Sequence, residues 1–188
     1  MCPEPVRKVV FTLYGSFSKT YHGHGTDRAL LGGILGFHTD DARIRDAFEW
    51  AEKMGVEYEF VIDEETKTDH PNTADMDITG VNGYRLSVRG ESIGGGKIKI
   101  VRINGIDVEF TGEYSTLIVR QIDKPGVVAH ITQCLSKEEV NIAFMRLFRE
   151  DKGATAFTVV ESDEQIPEEI LAEIQKNEHV QDLMLVQM

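Results

Sequence analysis

Cysteine, positive charge and long apolar runs are all scarce in this sequence, and each shortage removes a class of protein. Two cysteines among 188 residues, Cys2 and Cys134, cannot build a disulfide framework and are too few to ligate an iron-sulfur cluster within the chain. Lysine and arginine number 20 against 32 aspartates and glutamates, a formal charge of -12, and no basic run interrupts that balance. A phosphate backbone would be repelled, so nucleic-acid binding is not expected. The longest apolar stretches, such as Ala29 to Phe37, fall far short of the ~20 residues a membrane span needs. Met1-Cys2-Pro3-Glu4-Pro5 has no signal-peptide pattern. These absences together predict a cytoplasmic chain that does not enter a membrane.

What is present suits a globular protein: a hydrophobic fraction of 41% beside 28% charged residues is enough to bury a real core. The β-branched and aromatic run from Lys8 to Tyr14 predicts a strand, followed by a long polar, glycine-rich loop through Asp27. A helix is expected from about Asp27 to Gly36, where Gly32 and Gly33 weaken it and suggest close packing. A clearer helix is capped by Asp40 or Asp41, carries Ile44, Ala47, Phe48 and Ala51 on one face and ends at Gly55. Val56 to Ile62 reads as a half-buried strand. Further strands are expected at 76–79, 84–90, 97–103 and 106–111, with Asn104-Gly105 the firmest hairpin signal. Gly112-Glu113-Tyr114 is the expected linker, dividing the chain into domains at 1–112 and 115–188. The remainder of the chain reads as a complete β-α-β-β-α-β series: 116–121, 125–137, 141–149, 154–161, 167–177 and 180–186. Such an order gives a ferredoxin-like antiparallel sheet with two helices on one face. The fold class is therefore α/β in the α+β sense, a mixed first domain and a ferredoxin-like second one, with Cys134 packed near the core beside Val127, Ile131 and Leu135.

Unusual polar residues gather in three places. Gly23-His24-Gly25-Thr26-Asp27 stands just before a predicted helix, where backbone N–H groups and the Thr26 hydroxyl are placed to receive a carboxylate or phosphate; a simple capped turn is the plainer alternative. Asp69-His70-Pro71-Asn72-Thr73 is either a site loop or a hydrogen-bonded turn. Ser92-Ile93-Gly94-Gly95-Gly96 either cradles an anion or permits a bulge before the next strand. It lacks the Lys-Ser/Thr ending of a P-loop and the G-x-G-x-x-G spacing of a dinucleotide fold, so nucleotide binding is a poor reading. His22, His24 and Asp69-His70 complete no dense ligand motif, and no metal site is expected in this chain.

In the second half, Leu-Ile-Val-Arg-Gln-Ile-Asp-Lys-Pro-Gly-Val-Val at 117–128 resembles the effector-binding loop of an ACT domain. Pro125 suits a first helical turn and Gly126 permits a close backbone approach to a ligand. Taken in order, Tyr14-Gly15-Ser16 through Lys19-Thr20 to Asp27, then 69–73, then 92–96, followed by an ACT domain, closely resemble the β chain of the iron-sulfur-dependent L-serine dehydratases. The resemblance covers nearly the whole chain, and the first domain looks like that family's allosteric-substrate-binding-type domain.

The resemblance implies a subunit that is inactive alone and supplies pocket residues to an iron-sulfur α subunit. The partner's 4Fe-4S cluster would act as a Lewis acid toward the serine hydroxyl while a base removes the α-proton. It further implies candidate catalytic residues His24, Thr26 and His70, and substrate contacts at Ser16, Gly25, Asn72, Thr73 and Ser92. In the ACT part it implies effector contacts at Gln121, Asp123, Gly126 and Asn141, with a small amino acid bound at a homodimeric interface; ACT domains also serve purely as dimerisation modules. Family β chains usually carry a Pro-Ser-Ser-Ser-His-Thr signature before the first strand, which nothing in Met1 to Arg7 matches. A similar regulatory pair accompanies some phosphoglycerate dehydrogenases, so a noncatalytic amino-acid sensor is the alternative reading, and an ACT-mediated interaction protein without a ligand is a third.

Overall fold

A computed structural model describes residues 4–149 and 151–187, so Cys2 lies outside the described residues. The chain forms two compact units that divide between Gly105 and Ile106.

The first unit is built on β1, Val6–Tyr14, in which Val9, Phe11 and Leu13 are fully buried while Lys8, Val10 and Thr12 alternate to the other side. That period of two puts one face against helices and leaves the other for polar partners. The polar loop after β1 contains a turn of helix that the sequence pattern did not announce, α1 at Phe17–Thr20. Next come α2, Thr26–Ile34, a 3₁₀ segment at Ala42–Asp46 and α3, Ala47–Met54. The helix expected from Asp40 or Asp41 thus starts as 3₁₀ and becomes α only at Ala47. Asp41 is its cap, accepting the Arg43 N–H at 2.9 Å. The close packing expected of the α2 glycines holds for Gly32, where an added Cβ would lie 3.0 Å from the Ile44 side chain, and not for Gly33, which faces open space.

This crossover returns the chain as β2, Glu57–Asp63, parallel to β1. On the other side of β1 lies β3, Thr73–Gly80, antiparallel to it, then β4, Arg85–Gly94, and β5, Lys97–Ile103. Both β3 and β4 are longer than expected, so Thr73 and Ser92 are strand residues rather than loop residues. Irregular register between Ser92 and Gly94 supplies the bulge that the sequence offered as one alternative there.

The second unit opens with β6, Ile106–Phe110, and continues with β7, Ser115–Ile122, α4, Val127–Lys137, β8, Phe144–Arg149, β9, Thr155–Ser162, α5, Glu169–Ile174, and β10, Val180–Val186. The four-stranded sheet has the order β10-β7-β9-β8 with antiparallel neighbours, the expected ferredoxin-like arrangement. Val127, Ile131, Cys134 and Leu135 line one face of α4 and pack with Leu117, Val119, Val160, Ile170 and Ile174. Apolar residues at i, i+4, i+7 and i+8 are what one buried helical stripe requires. Two boundaries differ from expectation. Gly126, at φ 92, is the cap of α4, so Pro125 stays outside the helix. Asn141 precedes β8 rather than beginning it.

Candidate functional site

Three segments that the sequence singled out meet at one end of the first sheet. The chain leaves β1 through Gly15, whose φ is +55 and whose absent Cβ would fall 2.5 Å from the Pro71 carbonyl oxygen. Only glycine permits that approach, and it lets the Ser16 N–H donate to the same oxygen at 2.6 Å. Ser16 is thereby tied to the loop before β3. That loop is wound around His70, whose carbonyl accepts hydroxyls from Thr68 at 2.8 Å and Thr73 at 2.6 Å. Its ring Nδ1 accepts the Asn72 N–H at 3.2 Å, which leaves the neutral ring's proton on Nε2. Asn72 reaches β4 in turn: the Ser92 N–H donates to its carbonyl at 2.9 Å and its amide donates to the Ser92 carbonyl at 3.5 Å. Ser16, His70, Asn72, Thr73 and Ser92 therefore form one hydrogen-bonded group. Within it Thr73 is fully buried with its hydroxyl committed to His70, so what it supplies is loop geometry.

α1 connects this group to the second. The Thr20 hydroxyl donates to the Ser16 carbonyl at 2.9 Å, and the His24 N–H donates back to the Thr20 carbonyl at 3.1 Å. His24, Gly25 and Thr26 come next as the turn into α2. Two of its backbone N–H groups are already engaged: the Gly25 N–H donates to the His22 carbonyl at 3.4 Å and the Thr26 N–H to the Tyr21 carbonyl at 2.8 Å. Gly25, at φ 70, caps α2 with no side-chain hydrogen bond. The exposed His24 ring and the half-buried Thr26 side chain are what the turn presents.

Two arrangements here were not found from the sequence. Exposed His22 places Nδ1 2.8 Å from Oδ2 of buried Asp27, whose Oδ1 accepts the Arg28 N–H at 2.8 Å. On the opposite face of the sheet from Phe11 and Leu13, Arg89 grips Asp75 with two bonds of 2.6 and 2.7 Å, and the Tyr14 hydroxyl donates to Asp75 at 2.8 Å. Burial and the adjacent carboxylate push the Tyr14 phenol above its ordinary range, and the carboxylate raises the Arg89 guanidinium further. Strand alternation was the available signal, since it puts Thr12, Tyr14, Asp75 and Arg89 on one face once the register is known.

In the second unit Gln121 is buried and accepts the Thr158 hydroxyl at 3.2 Å. Asp123 is engaged as well, accepting from the Arg149 guanidinium at 2.8 Å and the Gly153 N–H at 3.2 Å. Arg149, then the Gly153 N–H, hold its carboxyl below the usual aspartate range. No side chain caps the N-terminus of α4 at Gly126, and Asn141 is exposed. Because the folded pKa is depressed, the Asp123 contribution to stability is present above the unfolded value and is lost as pH falls below 3.8 toward the folded one. Thermal midpoints measured from pH 6 to about pH 2.5 are expected to fall more steeply for the parent chain than for Asp123→Asn. Superimposable slopes would show that the Arg149 pair contributes nothing to folding.

The described residues do not fit an iron-sulfur cluster. Cys134 is buried, its thiol is pushed up by desolvation, and no group of three or more His, Cys, Asp or Glu able to hold a metal ion occurs among the described residues. No described helix is long and apolar enough to cross a membrane.

Comparison with known proteins adds what geometry alone does not. Residues 2–101 match the family described as serine dehydratase beta chain, and residues 115–179 match the ACT domain. A probable L-serine dehydratase beta chain of Bacillus subtilis is 40% identical over 173 residues, covering 92% of this chain and 77% of that protein. The L-serine dehydratase beta chain of Peptoniphilus asaccharolyticus is 41% identical over 167 residues, covering 89% of this chain and 75% of that protein. A D-3-phosphoglycerate dehydrogenase of Bacillus subtilis is 25% identical over 172 residues, 91% of this chain and 32% of that protein.

Proposed function

The chain belongs to the serine dehydratase beta chain family, and on that premise we propose that it is the subunit of an L-serine dehydratase that shapes the substrate pocket and senses an amino acid. The observation that carries this reading is 40% identity across 92% of the chain, through both units, to a protein named as such a beta chain. The weaker 25% likeness to a phosphoglycerate dehydrogenase also runs through both units, so a decisive experiment has to separate the two partners.

The reaction removes the α-proton of L-serine and expels the β-hydroxyl as water; the aminoacrylate left behind tautomerises and hydrolyses to pyruvate and ammonia. The group that would activate the hydroxyl, a 4Fe-4S cluster, would be held by an α subunit and would act there as a Lewis acid. This chain contributes the bonded loop group and the α2 turn. The imidazoles of His24 and His70 hold or move a proton beside the substrate, and the hydroxyls of Ser16, Thr26 and Ser92 with the Asn72 amide orient it. Gly25 keeps the turn compact, and Thr73 fixes the His70 loop. The ferredoxin-like unit, as an ACT domain, pairs with a second copy and binds a small amino acid at the α4 N-terminus near Gly126, with Gln121, Asp123 and Asn141 around it. The two functional domains meet at 112–115, and the assembly works in the cytoplasm.

The decisive experiment is anaerobic reconstitution with a serine dehydratase α chain from the same organism, followed by a pyruvate assay. Turnover is expected from the pair and from neither chain alone. The isolated chain supplied with iron and sulfide is expected to assemble no cluster; a stoichiometric cluster in it would overturn the division of labour. Co-purification of a dinucleotide-binding dehydrogenase in place of a cysteine-rich brown partner would support the sensor reading.

A further inference from the structure

The hydrogen-bonded group of loops depends on where three strands end. Ser16 follows β1, the His70 loop precedes β3, and Ser92 lies near the end of β4. A slip of one strand would separate the Ser16 N–H from Pro71 or the Asn72 backbone from Ser92. The order β1-β3-β4 makes these strands immediate neighbours, and the register pairs Thr12 with Asp75 and Asp75 with Arg89. Tyr14 is the last residue of β1, immediately before Gly15 and Ser16. Asp75 is two residues into β3 from Thr73, and Arg89 is three before Ser92.

Each of the three strands therefore contributes one side chain to a single network at the end that carries the loops. Arg89 forks onto both Asp75 oxygens at 2.6 and 2.7 Å, Tyr14 donates to Asp75 at 2.8 Å, and an Arg89 terminal nitrogen lies 3.4 Å from the Tyr14 oxygen. The guanidinium also stands 5.1 Å from the centre of the Tyr14 ring. Side-chain exposures of 22% for Arg89 and 19% for Asp75 remove the pair from full solvent screening. A planar fork on a carboxylate is directional as well as attractive, so it fixes relative strand position in a way that apolar contact does not.

We propose that Tyr14, Asp75 and Arg89 are positioning residues, a three-strand brace that sets the Ser16, His70–Asn72 and Ser92 segments in register and acts on the reaction only through them. The proposal rests on the serine dehydratase reading for its effect on turnover, while its effect on His70 does not depend on that reading. Two variants separate brace from bulk stability: Tyr14→Phe keeps the ring and loses the hydroxyl, and Arg89→Lys keeps the charge and loses the fork.

In the reconstituted complex each variant is expected to lower kcat/KM about tenfold, and the double variant little more than the worse single one, because the groups act as one network. In the isolated chain, ¹⁵N-labelled at histidine and assigned with His70→Gln, both variants are expected to move the His70 Nδ1 resonance, which reports the Asn72 N–H bond. A parent-like His70 resonance in both variants, with kcat/KM within about twofold of the parent, would overturn the brace. So would activity that falls only in proportion to the loss of folded protein. If the parent complex shows no turnover, the serine dehydratase reading fails, and the His70 resonance then decides alone: a shift upholds the brace and no shift removes it.

Discussion

In the assembled enzyme His24→Ala is expected to cut turnover of L-serine about a hundredfold, the lower end of what a positioned proton-transfer group contributes, while the chain's thermal midpoint stays almost where it was. The two readouts separate because of how the turn is built. His24 is held through its backbone N–H, which donates to Thr20 at 3.1 Å, and the neighbouring Gly25 and Thr26 N–H groups are bonded inside the turn as well. Its ring is exposed, so deleting it opens no cavity in the core. Thermal melting beside steady-state kinetics checks this. Parallel losses of midpoint and turnover would reassign His24 to folding.

Gly15→Ala is expected to do the reverse and unmake the site by destabilising the fold. The new Cβ would stand 2.5 Å from the Pro71 oxygen and 3.0 Å from Pro71 Cα, backbone atoms that cannot rotate aside, at a φ of +55 that side-chain-bearing residues avoid. Strain and clash together are expected to cost about 2–4 kcal/mol, which for a chain of this size lowers the thermal midpoint by roughly 5–15 °C. Activity should fall further than the melting data alone imply, because the Ser16 N–H bond to Pro71 at 2.6 Å is the contact displaced. Gly33→Ala is the matched control: it lies within α2, has no left-handed φ and meets open space, so it should be neutral or stabilising by up to about 1 kcal/mol. Equal melting curves for Gly15→Ala and the parent would show that the Pro71 loop yields easily and does not fix Ser16.

The sequence by itself determined the class of protein and most of its elements. Acidic balance, scarce cysteine and short apolar runs are properties of composition, and periodicities of 2 and 3.6 depend only on neighbours along the chain. The ferredoxin-like unit was legible element by element for that reason, as was the strand from Lys8 to Tyr14. So was the clustering of unusual polar residues at 14–27, 69–73 and 92–96. Boundaries set by local competition were less legible. Gly126 stops α4 short of Pro125, and the 3₁₀ turn before Ala47 satisfies the same apolar spacing as a longer α-helix.

Only the tertiary structure decided what those polar residues do to one another. The Ser16 bond to Pro71 spans 55 positions of sequence, and the Asp75 fork from Arg89 spans 14; neither separation leaves a local pattern, because pairing across strands depends on register and register is settled by the whole sheet. The same holds elsewhere. In the glycine-rich turn before α2 the carbonyls of Tyr21 and His22 take the Thr26 and Gly25 N–H groups, which the sequence does not reveal. Asp123, an expected effector contact, also carries a bond from Arg149, which comes from a strand two places away in the sheet. Sequence names the groups capable of chemistry, and the fold decides which of them already bond one another and so how each is oriented toward a ligand.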